Sequence, residues 1–256
     1  MFRSFSGGDA LLSYLAANES EADGMGPVND RVPGGSAPYP GVGTKVRPGT
    51  TGFKFPSGDR ILDVVVASAA LVFVAPLMLF IALAVFLSSP GPVLFRQDRL
   101  GRGGRTFACL KFRTMRIDSE AILGELLAAD PVARAEWQRD QKLRNDPRIF
   151  AIGGLLRRIS LDELPQLLNV LAGDMSIVGP RPIVASEAFR YRRYIADYFA
   201  VRPGITGLWQ VSGRNHTTYR RRVACDVAYV RTKSAGNDLR IIAMTVPTVL
   251  LARGAY

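Results

Sequence analysis

The longest apolar stretch of the chain runs from Ile61 to Leu87 and contains a single charged residue, Asp63. A helix needs about 20 apolar residues to cross the hydrocarbon core of a bilayer, so this stretch is long enough to do so. Pro76 lies in its middle, where proline removes a backbone donor and favours a break in the helix. The pattern therefore predicts a membrane helix that breaks at Pro76.

Basic residues flank this stretch on both sides. Arg60 precedes it directly, and four arginines follow it: Arg96, Arg99, Arg102 and Arg105. The positive-inside rule assigns both flanks to the cytoplasm, which predicts that residues 56–90 form a re-entrant helix hairpin that enters the bilayer, kinks and returns. The alternative is an ordinary spanning helix that tolerates a proline. Arg60 and Asp63, spaced i,i+3, are expected to pair.

The pattern changes on either side of this helix. Residues 1–55 are rich in Gly, Pro and Ser and hold too few apolar residues to offset the entropy of ordering, so we expect a disordered tail. Residues 91–256 are predicted to form a small cytoplasmic domain, and the predicted fold class is a membrane-associated α+β protein. Its predicted elements are a strand or hairpin at the membrane surface over Gly91–Met115, a helix over Asp118–Arg144 interrupted at Asp130–Pro131, helices over Ser160–Leu171 and Ser186–Phe199, and an interfacial amphipathic helix over Leu239–Leu251.

The charge balance indicates an anionic partner. The chain has 33 Lys and Arg against 22 Asp and Glu, a formal charge of +11. Nucleic acid, phospholipid headgroups and a phosphorylated substrate would each fit. Cys109 and Cys225 are far apart and His216 is the single histidine, so neither a disulfide framework nor a zinc site follows.

One acidic pair stands out in this basic chain. Asp162 and Glu163 occur in "SLDELPQLLNV", after Arg157 and before Arg181. In a capping box, the side chain of Ser160 would cap the following helix, and the side chain of Glu163 would accept a hydrogen bond from the Ser160 N–H. Because proline fits only the first turn of a helix, a proline at residue 165 requires this helix to begin close to Asp162. In the catalytic interpretation, one acid attacks phosphorus while its neighbour holds Mg²⁺ and the arginines bind phosphate. The residues alone leave both interpretations open.

From Arg60 onward the chain resembles the bacterial sugar transferases. These monotopic phosphoglycosyl transferases move a hexose-1-phosphate from a UDP-sugar to undecaprenyl phosphate. The similar blocks, in family order, are "RILD", "GPVLFRQDRLGRGGRTFACLKFRTM", "NDPR", "LLRRISLDELPQLLNVLAGDMSIVGPRP" and "RPGITGLWQVSGR". The closing "RGAY" resembles transferases that start exopolysaccharide repeat units.

The resemblance implies a role for each candidate residue. Asp162 would be the nucleophile that forms a covalent phosphosugar intermediate, and Glu163 would help to bind Mg²⁺. The residues expected to contact phosphate or nucleotide are Arg157, Arg181, Arg214, Lys111 and Arg113. The donor would be UDP-galactose or UDP-glucose, the acceptor undecaprenyl phosphate, and the location the cytoplasmic face of the bacterial inner membrane.

Two other functions are weighed against this one. A catalytically inactive membrane scaffold of the same fold is disfavoured because Asp162, Glu163 and the surrounding arginines are retained. A basic nucleic-acid-binding protein with a membrane anchor would also explain the charge. Membrane lipids and the lipid phosphate account for that charge equally well, so no nucleic-acid partner is expected.

Overall fold

The computed structural model describes residues 58–140, 143–212 and 218–250. The predicted disordered tail, Arg214 and His216 lie outside these ranges. The described part is mixed α/β, mostly helical with two small sheets, in agreement with the predicted α+β class. Its main elements are α1 (Gly58–Ser88), β1 (Leu94–Leu100), β2 (Thr106–Phe112), α2 (Ser119–Ala129), α3 (Pro131–Asp140), α4 (Ala151–Arg158), α5 (Gln166–Ala172), β3 (Ser176–Val178), α6 (Ile195–Ala200), β4 (Gly204–Thr206), α7 (Leu208–Ser212), α8 (Tyr219–Arg231) and α9 (Ala235–Leu250).

The apolar stretch forms one continuous helix, α1, with Pro76 inside it. At 1.5 Å per residue its 31 residues span about 46 Å. Pro76 therefore does not end one helix and start another, and a bend of α1 at Pro76 stays a prediction. A proline removes only one backbone hydrogen bond, and both halves of α1 pack onto the rest of the protein: Ala67 joins one buried cluster, while Ile81 and Val85 join another.

The opposite face of α1 is exposed and apolar. Val72 and Phe73 are 78% and 85% exposed, and the other large exposed side chains of this helix are Ile61, Val64, Val65, Leu77, Leu79, Phe80, Leu83, Phe86 and Leu87. By length and composition, α1 is the one helix in the described part of the chain that could cross a membrane. A continuous apolar face of this size suits contact with hydrocarbon.

Polar contacts fix the N-terminal end of α1 to the rest of the protein. The Arg60 guanidinium donates to the carbonyl oxygens of Val170 and Leu171, at 2.6 and 2.9 Å. Asp63 accepts hydrogen bonds from the Ser176 hydroxyl and from the backbone N–H that follows it. Arg60 and Asp63 therefore do not pair with each other, contrary to the prediction, because β3 and α5 supply closer partners.

The hairpin predicted after α1 is confirmed. β1 and β2 pair antiparallel from Leu94 opposite Phe112 to Leu100 opposite Thr106. The predicted interruption at Asp130 is also confirmed, because α2 ends before Asp130 and α3 begins after it. The Asp130 carboxylate accepts hydrogen bonds from the first N–H groups of α3. This is ordinary capping of a helix N-terminus.

The centre of the body is a parallel pair of short strands, β3 and β4. A Cβ at Gly204 would lie 2.0 Å from the backbone nitrogen of Gly179, so only glycine permits this close approach. Tyr229, which is buried on α8, joins that helix to β3, because its hydroxyl donates to the carbonyl oxygen of Val178.

The two remaining predicted helices differ in their details. Over Ser186–Phe199 the chain forms a 3-10 helix, Ala185–Tyr194, followed by α6, with a non-helical conformation at Arg192. The C-terminal helix is found as α9, which begins four residues before the predicted start at Leu239.

Candidate active site

The acidic pair lies in a tight turn between two helices. Ser160 adopts a left-handed conformation with φ 59° just after α4, and a 3-10 helix, Leu161–Glu163, follows it. α5 begins only after Pro165, which occupies its N-cap position. The expectation that both acids lie in the first turn of the α-helix is therefore wrong, and the side chain of Ser160 makes no capping hydrogen bond.

Glu163 is held by two cations instead of a capping bond. Its Oε1 accepts a hydrogen bond from Lys111 Nζ at 2.7 Å and from Arg181 Nη2 at 3.0 Å. Lys111 lies on β2, and Arg181 lies in the segment after β3. Against the effect of burial, Arg181 and Lys111 lower the pKa of Glu163 to about 2. Glu163 is therefore a fixed negative charge at neutral pH.

Asp162 has a different environment. It is buried, and among the described residues no other side chain forms a hydrogen bond with its carboxylate. Burial and the negative charge of Glu163 raise its pKa, while the more distant charges of Lys111 and Arg157 act in the opposite direction. A carboxylate that is near cations but not engaged by them keeps its oxygens free to attack an electrophile.

The structure brings some of the predicted phosphate-binding residues to the pair. Lys111 and Arg181 contact Glu163, as described above. Arg157 lies exposed in the last turn of α4, with no acceptor for its guanidinium among the described residues, and its charge acts on Asp162. Arg214 lies outside the described ranges.

Arg113 is engaged elsewhere. Its guanidinium is buried and donates to the carbonyl oxygen of Pro92, to the hydroxyl of Ser89 and to the carbonyl oxygen of Ser89. All three acceptors lie just after the C-terminal end of α1. The contacts of Arg113 therefore secure that end of the helix, and none of them reaches the acidic pair.

Sequence reasoning missed three residues of the site. Arg99 on β1 and Gln166 at the start of α5 line the same pocket as Lys111, Glu163 and Arg181. Asn169 joins α5 to β2, because its side chain donates to one backbone group of that strand and accepts from another. Arg99 is one of four arginines that follow α1, and only the register of the hairpin distinguishes it from the others.

The acidic pair fits the way in which proteins hold Mg²⁺. Magnesium is usually bound by one or two carboxylates together with substrate phosphates and water. Both hydrogen bonds of Glu163 end on Oε1, so Oε2 is available as a ligand. Over residues 58–140, 143–212 and 218–250, no group of three or more His, Cys, Asp or Glu residues could hold a metal ion.

Comparison with known proteins identifies the family. The family model described as "Bacterial sugar transferase" matches residues 55–252. The chain is 49% identical over 197 residues to the undecaprenyl-phosphate galactose phosphotransferase of Salmonella typhimurium. The aligned region covers 77% of this chain and 41% of the Salmonella protein. It is 46% identical over 212 residues to the exopolysaccharide production protein ExoY of Rhizobium meliloti, an alignment that covers 82% of this chain and 94% of the relative. It is 44% identical over 205 residues to the UDP-glucose:undecaprenyl-phosphate glucose-1-phosphate transferase of Caulobacter vibrioides, an alignment that covers 77% of this chain and 71% of the relative.

These relatives differ in extent. The chain spans about two fifths of the Salmonella protein but almost the whole of the Rhizobium protein. The shared region contains α1, the hairpin and the acidic pair. Because the family model matches most of its length, the chain belongs to the bacterial sugar transferase family.

Proposed function

We propose that this protein transfers a hexose-1-phosphate from a UDP-hexose to undecaprenyl phosphate, and so starts the synthesis of an exopolysaccharide or a related glycoconjugate. The names of the relatives support this reaction class, and they name both galactose and glucose donors. UDP-galactose and UDP-glucose are therefore the two donors to be tested first.

The observation that supports the proposal most strongly is the difference between the environments of two adjacent acidic side chains. Glu163 is paired with two cations, whereas the carboxylate of Asp162 is buried without a partner side chain among the described residues. Adjacent carboxyl groups whose pKa values are pushed apart commonly divide two chemical roles between them. Here Asp162 is the nucleophile and Glu163 is the permanent charge.

The reaction proceeds in two displacements. An Asp162 oxygen forms a bond to the β-phosphorus of the UDP-hexose while the bond to the bridging oxygen breaks, and UMP leaves with that oxygen and its electron pair. A phosphate oxygen of undecaprenyl phosphate then attacks the same phosphorus, and the Asp162 carboxylate leaves. Arg157 and Arg181 stabilise phosphate charge, and Lys111 helps to keep Glu163 in place. Bound Mg²⁺ would neutralise phosphate oxygens beside Glu163.

The proposed location is the cytoplasmic face of the bacterial inner membrane, with α1 entering the bilayer and returning on the same side. The anchoring of both ends of α1 to one body supports this topology, as does its exposed apolar face. Two introduced cysteines test this topology, one near Ser57 and one near Gly103, in a background without Cys109 and Cys225. Labelling of both from the cytoplasmic side supports re-entry, whereas labelling from opposite sides establishes a spanning helix.

The activity is tested by UMP release in nanodiscs that contain undecaprenyl phosphate, with a panel of UDP-sugars as donors. We expect release with UDP-galactose or UDP-glucose and a loss of at least about a thousandfold in Asp162→Asn, because the nucleophile is removed. The substitution keeps the size of the side chain, so the thermal midpoint should not fall. Absence of release with every donor would favour the inactive scaffold, and near-normal turnover of Asp162→Asn would exclude this mechanism.

A further inference from the structure

Two of the cations beside the acidic pair lie on separate segments of the chain. Arg99 is the second-last residue of β1, and Arg181 lies in the segment that follows β3. Both line the same pocket, and burial together with the charge of Arg181 lowers the pKa of Arg99. Two guanidiniums this close repel each other, so contacts between the two segments have to oppose that repulsion.

A backbone bridge joins the two segments just beyond these arginines. Leu100, the last residue of β1, pairs antiparallel with Ile183, and its N–H donates to the carbonyl oxygen of Ile183 at 2.9 Å. In a regular hydrogen-bonded pair, the second N–H donates back to the opposite carbonyl. Here the hydroxyl of Tyr198 takes that place. It accepts from the N–H of Ile183 at 3.2 Å and donates to the carbonyl oxygen of Leu100 at 2.8 Å.

The position of this hydroxyl is fixed by its surroundings. Tyr198 lies on α6, is 2% exposed and belongs to one buried cluster with Leu100 and Ile183. Its ring packs edge-on against Tyr191 and Phe199, with centroids 5.1 and 5.7 Å away. A hydroxyl can accept and donate at once, so it can stand between an N–H and a carbonyl that face each other. Without it, these two groups would stay unpaired or the two segments would have to move closer.

We propose that Tyr198 is a positioning residue for the transfer, because its hydroxyl sets the distance between the two segments and so keeps Arg181 on Glu163. The bridge lies one residue after Arg99 and two residues after Arg181. Arg99 also donates to the carbonyl oxygen of Pro182 at 3.0 Å, so a shift of either segment moves both guanidiniums. This inference rests on the proposed function, in which Arg181 stabilises phosphate charge.

The first measurement compares two tyrosine variants, both assayed below their thermal midpoints. Tyr198→Phe keeps the ring and removes the hydroxyl of the bridge. We expect its kcat for UMP release in nanodiscs to fall about tenfold or more, because Arg181 is displaced. Tyr191→Phe is the matched control, since its hydroxyl is equally buried but donates to Asp226 and not to the bridge. It should lose a comparable amount of stability and keep the wild-type kcat.

The second measurement does not depend on turnover. Glu163→Gln removes the acceptor of Arg181, and its effect on the free energy of unfolding is measured in the wild-type and the Tyr198→Phe backgrounds. If the hydroxyl keeps Arg181 on Glu163, the effect should be smaller in the Tyr198→Phe background, by about twofold or more in the unfolding equilibrium constant. A tyrosine that only stabilises the fold would give additive effects, as we expect for Tyr191→Phe.

The two measurements can each overturn the proposal. An unchanged kcat in Tyr198→Phe would do so, as would an equal fall of kcat in both tyrosine variants. Additive effects of Tyr198→Phe and Glu163→Gln on unfolding would also contradict it. If these effects are not additive but no UDP-sugar releases UMP, the positioning of Arg181 stands and the proposed function fails.

Discussion

Two regions of this protein contain largely buried acidic side chains, and the pKa values of these side chains shift in opposite directions. Glu163 is held by the Lys111 ammonium and the Arg181 guanidinium, which lower its pKa to about 2. Asp226 on α8 is 2% exposed, and its described partner is the hydroxyl of Tyr191, which donates to it at 2.7 Å. Burial raises the pKa of Asp226 to about 7.

The difference shows that the charge of the contacting partner, and not burial alone, decides the ionisation of these acids. A hydroxyl donor stabilises a carboxylate less than an ammonium or a guanidinium does. Asp162 lies between the two cases, because its cations act from a distance and its pKa is raised. It is therefore less stabilised as an anion than Glu163, which favours its use as a nucleophile.

Removal of the charge at Glu163 should have the largest effect. A depressed pKa contributes stability above the unfolded value, 4.5, and this stability is lost as the pH falls toward 2. Glu163→Gln should therefore lower the free energy of unfolding by about 3 kcal/mol at neutral pH, and the deficit should shrink in acid. UMP release should also fall and require more Mg²⁺.

These effects are measured by denaturation at several pH values and by Mg²⁺ titration of UMP release. Glu125→Gln, at an exposed position of α2, is the matched control and should change neither property. A deficit for Glu163→Gln that stays constant down to about pH 2 would contradict the ion-pair explanation.

The contribution of Asp226 to stability should depend on pH in the opposite direction to that of Glu163. Its pKa is raised, so its stabilising effect is present below the unfolded value, 3.8, and is lost as the pH rises through about 7. Asp226→Asn keeps an acceptor for Tyr191 but removes the titration. Between about pH 5 and 7 the wild-type protein should lose about 2 kcal/mol relative to this variant. Parallel stability curves for the two proteins would show that Asp226 does not titrate in this range.

The smallest effect is expected at Arg157. Its positive charge lowers the pKa of Asp162, so Arg157→Gln should raise that pKa further. The acid limb of the pH profile of kcat/KM should move slightly to higher pH, because an exposed charge is screened by solvent; this shift adds to the pH-independent loss of the phosphate contact. Arg158→Gln, its exposed neighbour, should leave the limb in place. Equal shifts in both variants would mean that Arg157 has no specific influence on Asp162.

Much of the fold could be predicted from local sequence signals. The apolar run of α1, the hairpin after it and the break at Asp130 each depend on residues within one element, and all three were found. The continuation of α1 through Pro76 was not predictable in this way, because the packing of Ala67, Ile81 and Val85 against the rest of the protein is a tertiary effect that the local rule for proline does not include.

The candidate site was predictable only in part for the same reason. The acidic pair and Arg181 stand in one block of sequence, so family resemblance identifies them. Arg113 and Lys111 are two residues apart and look equivalent, yet one secures the end of α1 and the other holds Glu163. Only the folded positions of Ser89 and Glu163 distinguish them. Gln166 gives no signal in the sequence, because only the fold places it in the wall of the pocket beside Glu163.

The most direct test of the central claim is to identify the residue that carries the covalent intermediate. The protein in nanodiscs without a lipid acceptor is incubated with UDP-galactose or UDP-glucose, quenched and digested, and its peptides are examined by mass spectrometry. We expect one hexose phosphate on Asp162, formed together with UMP and lost when undecaprenyl phosphate is added. A hexose phosphate on another residue, or UMP release that occurs only with the acceptor present and leaves no adduct, would contradict it.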